Sequence, residues 1–458
     1  MDKQLTLTEG SILKPLFHFA LPILLALFLQ AMYGAVDLII VGQFCMPEDV
    51  SAVAIGSQVM QTLTLVIVGL SMGITILVGR KIGQGLFNDA GKIIGASIYL
   101  FFIISIIVTI AMIAMASPIA SIMHTPLQAF DLTVIYVQIC SAGTVFIIAY
   151  NVFGSVLRGV GNSRLPLYTA AIACICNIIG DLLFVAVFNM GVAGAAIATV
   201  LAQAISVILS LLIARHVNLP ISFHLSYIRF NSKITKKVLR LGSPVALQDL
   251  LVNISFLVIL AIVNSLGVIF SAGVGVAEKI CAFIMLVPSA YMQYMAVFTA
   301  QNLGAKKPDR VFKALGYTII SSLFIGTILG FVSFFHGDIL AMIFSTDAQI
   351  ILATAEYLKA YAIDCFLVSM LFCFVGYFNG HGKTLFVMIQ GIFGAFAIRI
   401  PVSYFMSQMN DPSLFYIGLA SPASTSVQVF LCLCFFIYLY KLDKKKQTPI
   451  QQILYNKS

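Results

Sequence analysis

Charge is what this sequence lacks. Only 9% of its 458 residues are Asp, Glu, Lys or Arg, against about 25% in soluble globular proteins. A water-solvated globular chain is therefore excluded. Metal-binding and phosphate-binding signatures are missing too. The six histidines (His18, His124, His216, His224, His336 and His381) are scattered, so no metal-enzyme constellation forms. No Walker A segment occurs, which excludes ATP-driven work within the chain. Eight of the nine cysteines fall in apolar stretches and Cys45 stands alone in a short loop. Neither a disulfide framework nor a zinc site is expected. Alternating barrel strands are absent as well.

What is present is apolar sequence. Hydrophobic residues make up 60% of the chain and the mean hydropathy is +1.04. Twelve segments reach spanning length, near 14–41, 51–79, 93–117, 131–157, 165–188, 191–214, 240–266, 271–300, 314–336, 351–378, 384–408 and 414–440. A helix needs about 20 residues to cross a bilayer, and in lipid only helices satisfy their own backbone. The expectation is an all-α integral membrane protein of twelve transmembrane helices. The first apolar run is too long for a cleavable signal.

The net charge of +9 does not point to a nucleic-acid partner, because the basic residues lie between spans. With a cytoplasmic N-terminus, 23 of the 26 basic residues fall on the inner side, leaving Lys279, Lys359 and Arg399. The outer loops carry acids, among them Glu48, Asp49, Asp131 and Asp411. This bias places both termini inside.

The chain repeats itself. Pro22 in FALPILL matches Pro244 in LGSPVAL. Gly83 matches Gly304, and LRGVGNS at 157–163 matches FNGHGKT at 378–384. The three pairs share one sequence offset to within a single position. Six spans per half give parallel repeats about an axis along the membrane normal, a transporter layout. The halves are 1–222 and 223–458, joined by a basic linker at about 215–239.

Five carboxylates lie well inside spans, Asp37, Asp181, Asp249, Glu278 and Asp364, where a charge costs at least ~2.5 kcal/mol and usually serves function. Asp37 is six residues short of the outer end of the first span and Asp181 seven short of the end of the fifth. At the helical rise both lie about 10 Å deep. Asn177 precedes Asp181 by one turn and shares its face. Thr199 and Tyr136 reach a similar level from the sixth and fourth spans. Two carboxylates, an amide, a hydroxyl and a phenol suit a hard monovalent cation, or one proton shared by the two acids. Gln30, Tyr33 and Asn151 are expected to line a substrate cavity below, with Met and aromatic side chains as a repackable wall. Asp249, Glu278 and Asp364 are weaker coupling candidates, with a structural ion pair as the alternative. Asp364 could pair with Arg399 and Glu278 with Lys279.

These residues carry a resemblance. FALPILL followed by AVDLIIVGQ, the GRKIGQG and AQNLGAKKPD segments, LRGVGNSRLP, and NIIGDLLF followed by GAAIAT resemble the multidrug and toxic compound extrusion (MATE) family over nearly the whole chain. The resemblance implies two six-helix lobes in a V, in the plasma membrane, around a cavity that opens to alternate faces. It implies secondary active efflux of diverse, often cationic or amphipathic compounds in exchange for Na⁺ or H⁺. No cofactor beyond that ion and no enzyme activity are implied. The family's N-lobe cation site falls here on Asp37, Asn177, Asp181 and Thr199. A second, C-lobe acidic site of some members falls on Val252 and near Ser369, so that site is missing. A lipid-linked precursor or natural-product flippase of the same superfamily is the alternative, but it would favour a more basic cavity. A monomer is expected, since two lobes complete a cavity.

Overall fold

The computed structural model describes residues 7–216, 219–410 and 412–455. Lys3, Asp411 and Lys457, which enter the charge count, lie outside the described residues. Among the described residues there are helices and no strands. In chain order the α-helices are α1 (Leu13–Phe44), α2 (Pro47–Gly83), α3 (Phe87–Ala114), α4 (Ala116–Ile122), α5 (Leu127–Ala142) and α6 (Thr144–Val160). Then come α7 (Arg164–Asp181), α8 (Gly191–His216), α9 (Ser232–Asn264), α10 (Val268–Ile284), α11 (Leu286–Gly304) and α12 (Pro308–Phe335). The last are α13 (Gly337–Met342), α14 (Ala348–Gly380), α15 (Thr384–Ile392), α16 (Ile400–Ser407), α17 (Leu414–Gly418) and α18 (Ala420–Tyr455).

Eleven described spans are long and apolar enough to cross a membrane, and twelve if the pair α5 and α6, bent by 52° at Gly143, is one. The described spans coincide with the apolar runs, with the bent pair α5 and α6 at the place of the fourth run. Large apolar side chains such as Phe102, Ile107, Ile110, Phe324 and Phe331 stay exposed. In water such a surface would be unstable, whereas lipid tails solvate it.

The repeat is visible in where helices begin. Pro47 and Val268, Phe87 and Pro308, Ala116 and Gly337, and Leu127 and Ala348 each start a helix, and all four pairs are separated by the same interval as Gly83 and Gly304. Pro22 and Pro244 each lie inside a long helix, α1 and α9. Both fifth spans also widen locally into π-helical turns, over Leu182–Val187 after α7 and over Phe393–Arg399 between α15 and α16.

The chain forms two compact units. One holds Met1–Leu250, Met285–Thr318 and Gly376–Leu385; the other holds Leu251–Ile284, Ile319–Val375 and Phe386–Ser458. Within the first, α2 and α11 touch backbone to backbone. A Cβ on Gly83 would lie 1.9 Å from the Gln301 carbonyl oxygen, and a Cβ on Gly304 would lie 2.2 Å from the Arg80 carbonyl oxygen. Only glycine allows so close an approach.

The same unit ties down the start of the chain. Arg310 donates to the carbonyls of Gly10 (2.8 Å), Leu7 and Glu9 (both 3.3 Å). Asn302 Nδ2 donates to Leu7 O (3.1 Å) and Lys307 Nζ to Thr8 O (3.0 Å). Leu7 itself is buried. Hydrogen bonds from charged donors contribute roughly 1.5–3 kcal/mol each. Arg310→Ala is therefore expected to release this segment. A Glu-specific protease should then cut after Glu9 in the folded variant while sparing the wild type.

Candidate functional site

The candidate site lies in the first unit, in a layer crossed by α1, α5, α7 and α8. Asp37 and Tyr136 are 4% and 2% exposed, Asn177 and Asp181 are fully buried, and Thr199 is 8% exposed. Local sequence explains how five polar side chains come to one layer. Asn177 and Asp181 are one turn apart on α7 and so share a face. Gly180 lets α7 press on α8, since a Cβ there would sit 2.9 Å from the Ala198 methyl. On α2, Gly56 makes room for the Tyr136 ring, which a Cβ would meet at 2.4 Å. The backbone opens into π-helical turns directly after Asp181, a feature frequent at functional sites.

The Asp37 carboxylate is in interaction range of Asp181, Asn177 and Thr199. Tyr136 is in range of Asp37 and Thr199. The groups face one another without meeting the geometry of a hydrogen bond. Oδ1 of Asp37, both carboxylate oxygens of Asp181, Oδ1 and Nδ2 of Asn177 and Oγ1 of Thr199 are all buried and unpartnered. Ion pairs join Asp89 to Lys81 and Lys92. Among the described residues neither Asp37 nor Asp181 has a basic partner within ion-pair distance. Around them lie Ile40, Val41, Ala52, Val53, Val185 and Val192.

Buried polar atoms are normally satisfied, because each orphan costs about 1–3 kcal/mol. Six in one layer, five of them oxygens, are the donor set of a small hard cation. They equally suit a proton shared between two acids. No group of three or more His, Cys, Asp or Glu arranged to hold a metal ion occurs among the described residues.

A small cleft adjoins this layer. It is lined by Gln30, Tyr33, Tyr150, Cys174 and Gln203, among others. Gln30 Nε2 donates to Tyr150 Oη at 3.1 Å, and Tyr33 is in range of both Asp37 and Gln203. Of the three residues expected in a cavity, the structure brings Gln30 and Tyr33 to this cleft. Asn151 does not line this cleft; its Nδ2 donates to Ile147 O of the same helix at 2.8 Å. Tyr150, Gln203 and Cys140 were not expected. A signal existed for two of them. Gln203 follows Thr199, and Cys140 follows Tyr136, by one helical turn.

The other acids lie apart. Asp249 is half-buried on α9 and Glu278 half-buried on α10, whereas Asp364 on α14 is buried. Glu278 forms no ion pair with Lys279, which is exposed. Neighbouring positions on a helix point to different faces. Asp364 and Arg399 are in electrostatic range but not within ion-pair distance.

The family model MatE matches residues 22–183 and again 244–405, so one model fits both halves, starting at Pro22 in the first and at Pro244 in the second. Among the relatives, the probable multidrug resistance protein YpnP of Bacillus subtilis (strain 168) is 25% identical over 434 residues, covering 94% of this chain and 96% of that protein. The multidrug export protein MepA of Staphylococcus haemolyticus (strain JCSC1435) is 22% identical over 405 residues, covering 88% of each. A crystal structure of MATE in complex with MaL6 superposes with a TM-score of 0.90 at 20% identity, covering 97% of this chain and 100% of that one. With both repeats matched by one family model and the twelve-span fold shared with solved transporters, the chain belongs to the MatE family.

Proposed function

We propose that this chain is a cation-coupled antiporter that exports organic compounds, with Na⁺ or H⁺ moving inward through the Asp37 and Asp181 layer. It is a membrane transporter and not an enzyme. The carrying observation is the pair of buried carboxylates with no basic partner. Such a pair is costly to ionise fully and is relieved by one added positive charge. Binding of the coupling ion at Asp37, Asn177, Asp181, Thr199 and Tyr136 would alternate with substrate binding at the cleft of Gln30 and Tyr33. The negative polarity favours cationic or amphipathic substrates and speaks against an exporter of anionic lipid-linked precursors. YpnP and MepA carry multidrug names, which supports a broad substrate range.

In this reading the lobes are residues 1–222 and 223–458, both termini face the cytoplasm of a plasma-membrane protein, and the monomer is the working unit. Alternating access would expose the layer to one face at a time. The test is export of a cationic dye from proteoliposomes with Na⁺ and proton gradients imposed separately. One of the two is expected to drive export and so name the ion. Export that ignores both gradients would overturn the reading.

A further inference from the structure

A chain of polar side chains leads away from the Asp37 layer and ends on an arginine. Tyr33, one turn before Asp37 on α1, is in electrostatic range of both Asp37 and Tyr150. Gln30, about a turn further back, donates to Tyr150 Oη. Tyr150 is in range of Arg158, two turns further along α6. Gln30, Tyr33 and Tyr150 line one cleft. The helical rise gives about 10 Å from Asp37 to Gln30 and about 12 Å from Tyr150 to Arg158. All these residues belong to the first unit.

Arg158 is held within this chain. Its Nη2 donates to Ser155 Oγ at 2.8 Å, and that oxygen lies 2.7 Å from Ser71 Oγ of α2. The side chain folds back along its own helix over Gly154, where a Cβ would lie 3.2 Å from Nη1. Ser71 and Ser155 are buried and Arg158 is half-buried. Among the described residues no carboxylate lies within ion-pair distance of Arg158. Arginine stays protonated in proteins, so the chain ends on a permanent positive charge.

The repeat shows that this charge goes with the acidic layer. LRGVGNS matches FNGHGKT, which puts Asn379 where the first half has Arg158. By the interval that carries Pro22 onto Pro244, Asp37 and Asp181 fall on Ile259 and Ser403. The half without the carboxylate pair is also without the arginine.

We infer that Arg158 is an electrostatic seal at the inner end of this chain, which keeps the coupling cation from leaking through the first unit when no substrate moves. The inference rests on the antiporter reading and its cytoplasmic termini. A polar path out of a cation layer dissipates the gradient unless something blocks it. A cation leaving Asp37 and Asp181 along Tyr33, Gln30 and Tyr150 meets a like charge with no acid to offset it, and like charges repel at low dielectric. An arginine closes water-filled pores to cations in the same way.

The test uses the full-length protein in proteoliposomes without substrate. Na⁺ and proton gradients are imposed separately, and entry is read with radiolabelled sodium and with an internal pH-sensitive dye. Wild type should be tight. Arg158→Gln and Arg158→Met both remove the charge, and each should leak the coupling ion about tenfold faster, the effect of one unit charge across two helical turns at the effective dielectric of a protein. Either one suffices if the other fails to fold. Arg158→Lys keeps the charge and should stay tight. Adding Asp37→Asn to Arg158→Gln should cut the leak, because the ion then enters a layer with one acid fewer. A folded neutral variant as tight as wild type would overturn the inference. So would a lysine variant that leaks like the glutamine one, or a leak indifferent to Asp37→Asn. Dye export by wild type under the same gradients reads the antiporter proposal separately. Driven export with a tight Arg158→Gln sinks the seal alone, whereas an Asp37-dependent leak without driven export sinks the antiporter and leaves the seal.

Discussion

Asp37→Asn is expected to lose gradient-driven export by roughly tenfold to a hundredfold, the range corresponding to about 1.5–3 kcal/mol for one charged contact. The change is isosteric, so packing against the surrounding apolar cluster survives. What changes is the charge. The variant keeps Asp181 as a single buried acid, and a single acid gains less from an added cation than a pair does. Folding is not expected to suffer, because Asn removes a buried like-charge repulsion. Dye export under the effective gradient, normalised to folded protein, measures the loss. Asn177→Ala and Thr199→Ala should fall between wild type and Asp37→Asn, as each removes oxygen ligands but no charge. If Asp37→Asn couples as well as wild type, the layer is structural.

Gly83→Ala is expected to be the most destabilising single methyl in the first unit. Its Cβ would lie 1.9 Å from the Gln301 carbonyl oxygen, and a backbone atom cannot swing aside as a side chain does. Overpacking typically costs about 1–3 kcal/mol, and here relief requires α2 and α11 to separate. The expected result is a lower midpoint in a thermal unfolding scan and a lower yield of monodisperse protein. Gly316→Ala on α12 is the control. Nothing lies within 4 Å of a Cβ there, so that variant should be neutral or gain about 0.5–1 kcal/mol from helix propensity. Equal midpoints for the two variants would show that the contact between α2 and α11 does not limit stability.

The sequence was most legible where physics left least choice. A span in lipid must be helical, so counting the fixed helical rise from its ends placed Asp37, Asp181, Thr199 and Tyr136 at one depth. The same constraint made the twelve spans readable from hydropathy. Local backbone departures were not readable. The bend at Gly143 and the π-helical turns after Asp181 depend on which neighbour presses on the helix, and hydropathy is blind to that. Asn151 does not line the cleft of Gln30 and Tyr33, and its amide turns back onto a carbonyl of its own helix, as an amide on an apolar helix can. The relation of Asp364 to Arg399 was only half visible. The charges stood out, but a direct ion pair was the simpler expectation than two groups in electrostatic range and beyond ion-pair distance.

The contact between α2 and α11 is symmetric. Arg80 with Gly83, and Gln301 with Gly304, are the same pair of positions in the two repeats, and each glycine meets the other pair's carbonyl. That is an isologous contact, the kind two identical subunits make across a two-fold axis. A polypeptide carrying one copy of the repeat would present a self-complementary glycine face, and each substitution in it would act twice. Joined in one chain, the two faces are free to differ. Arginine on one side and glutamine on the other already do, while the glycines, fixed by contact distance, have not.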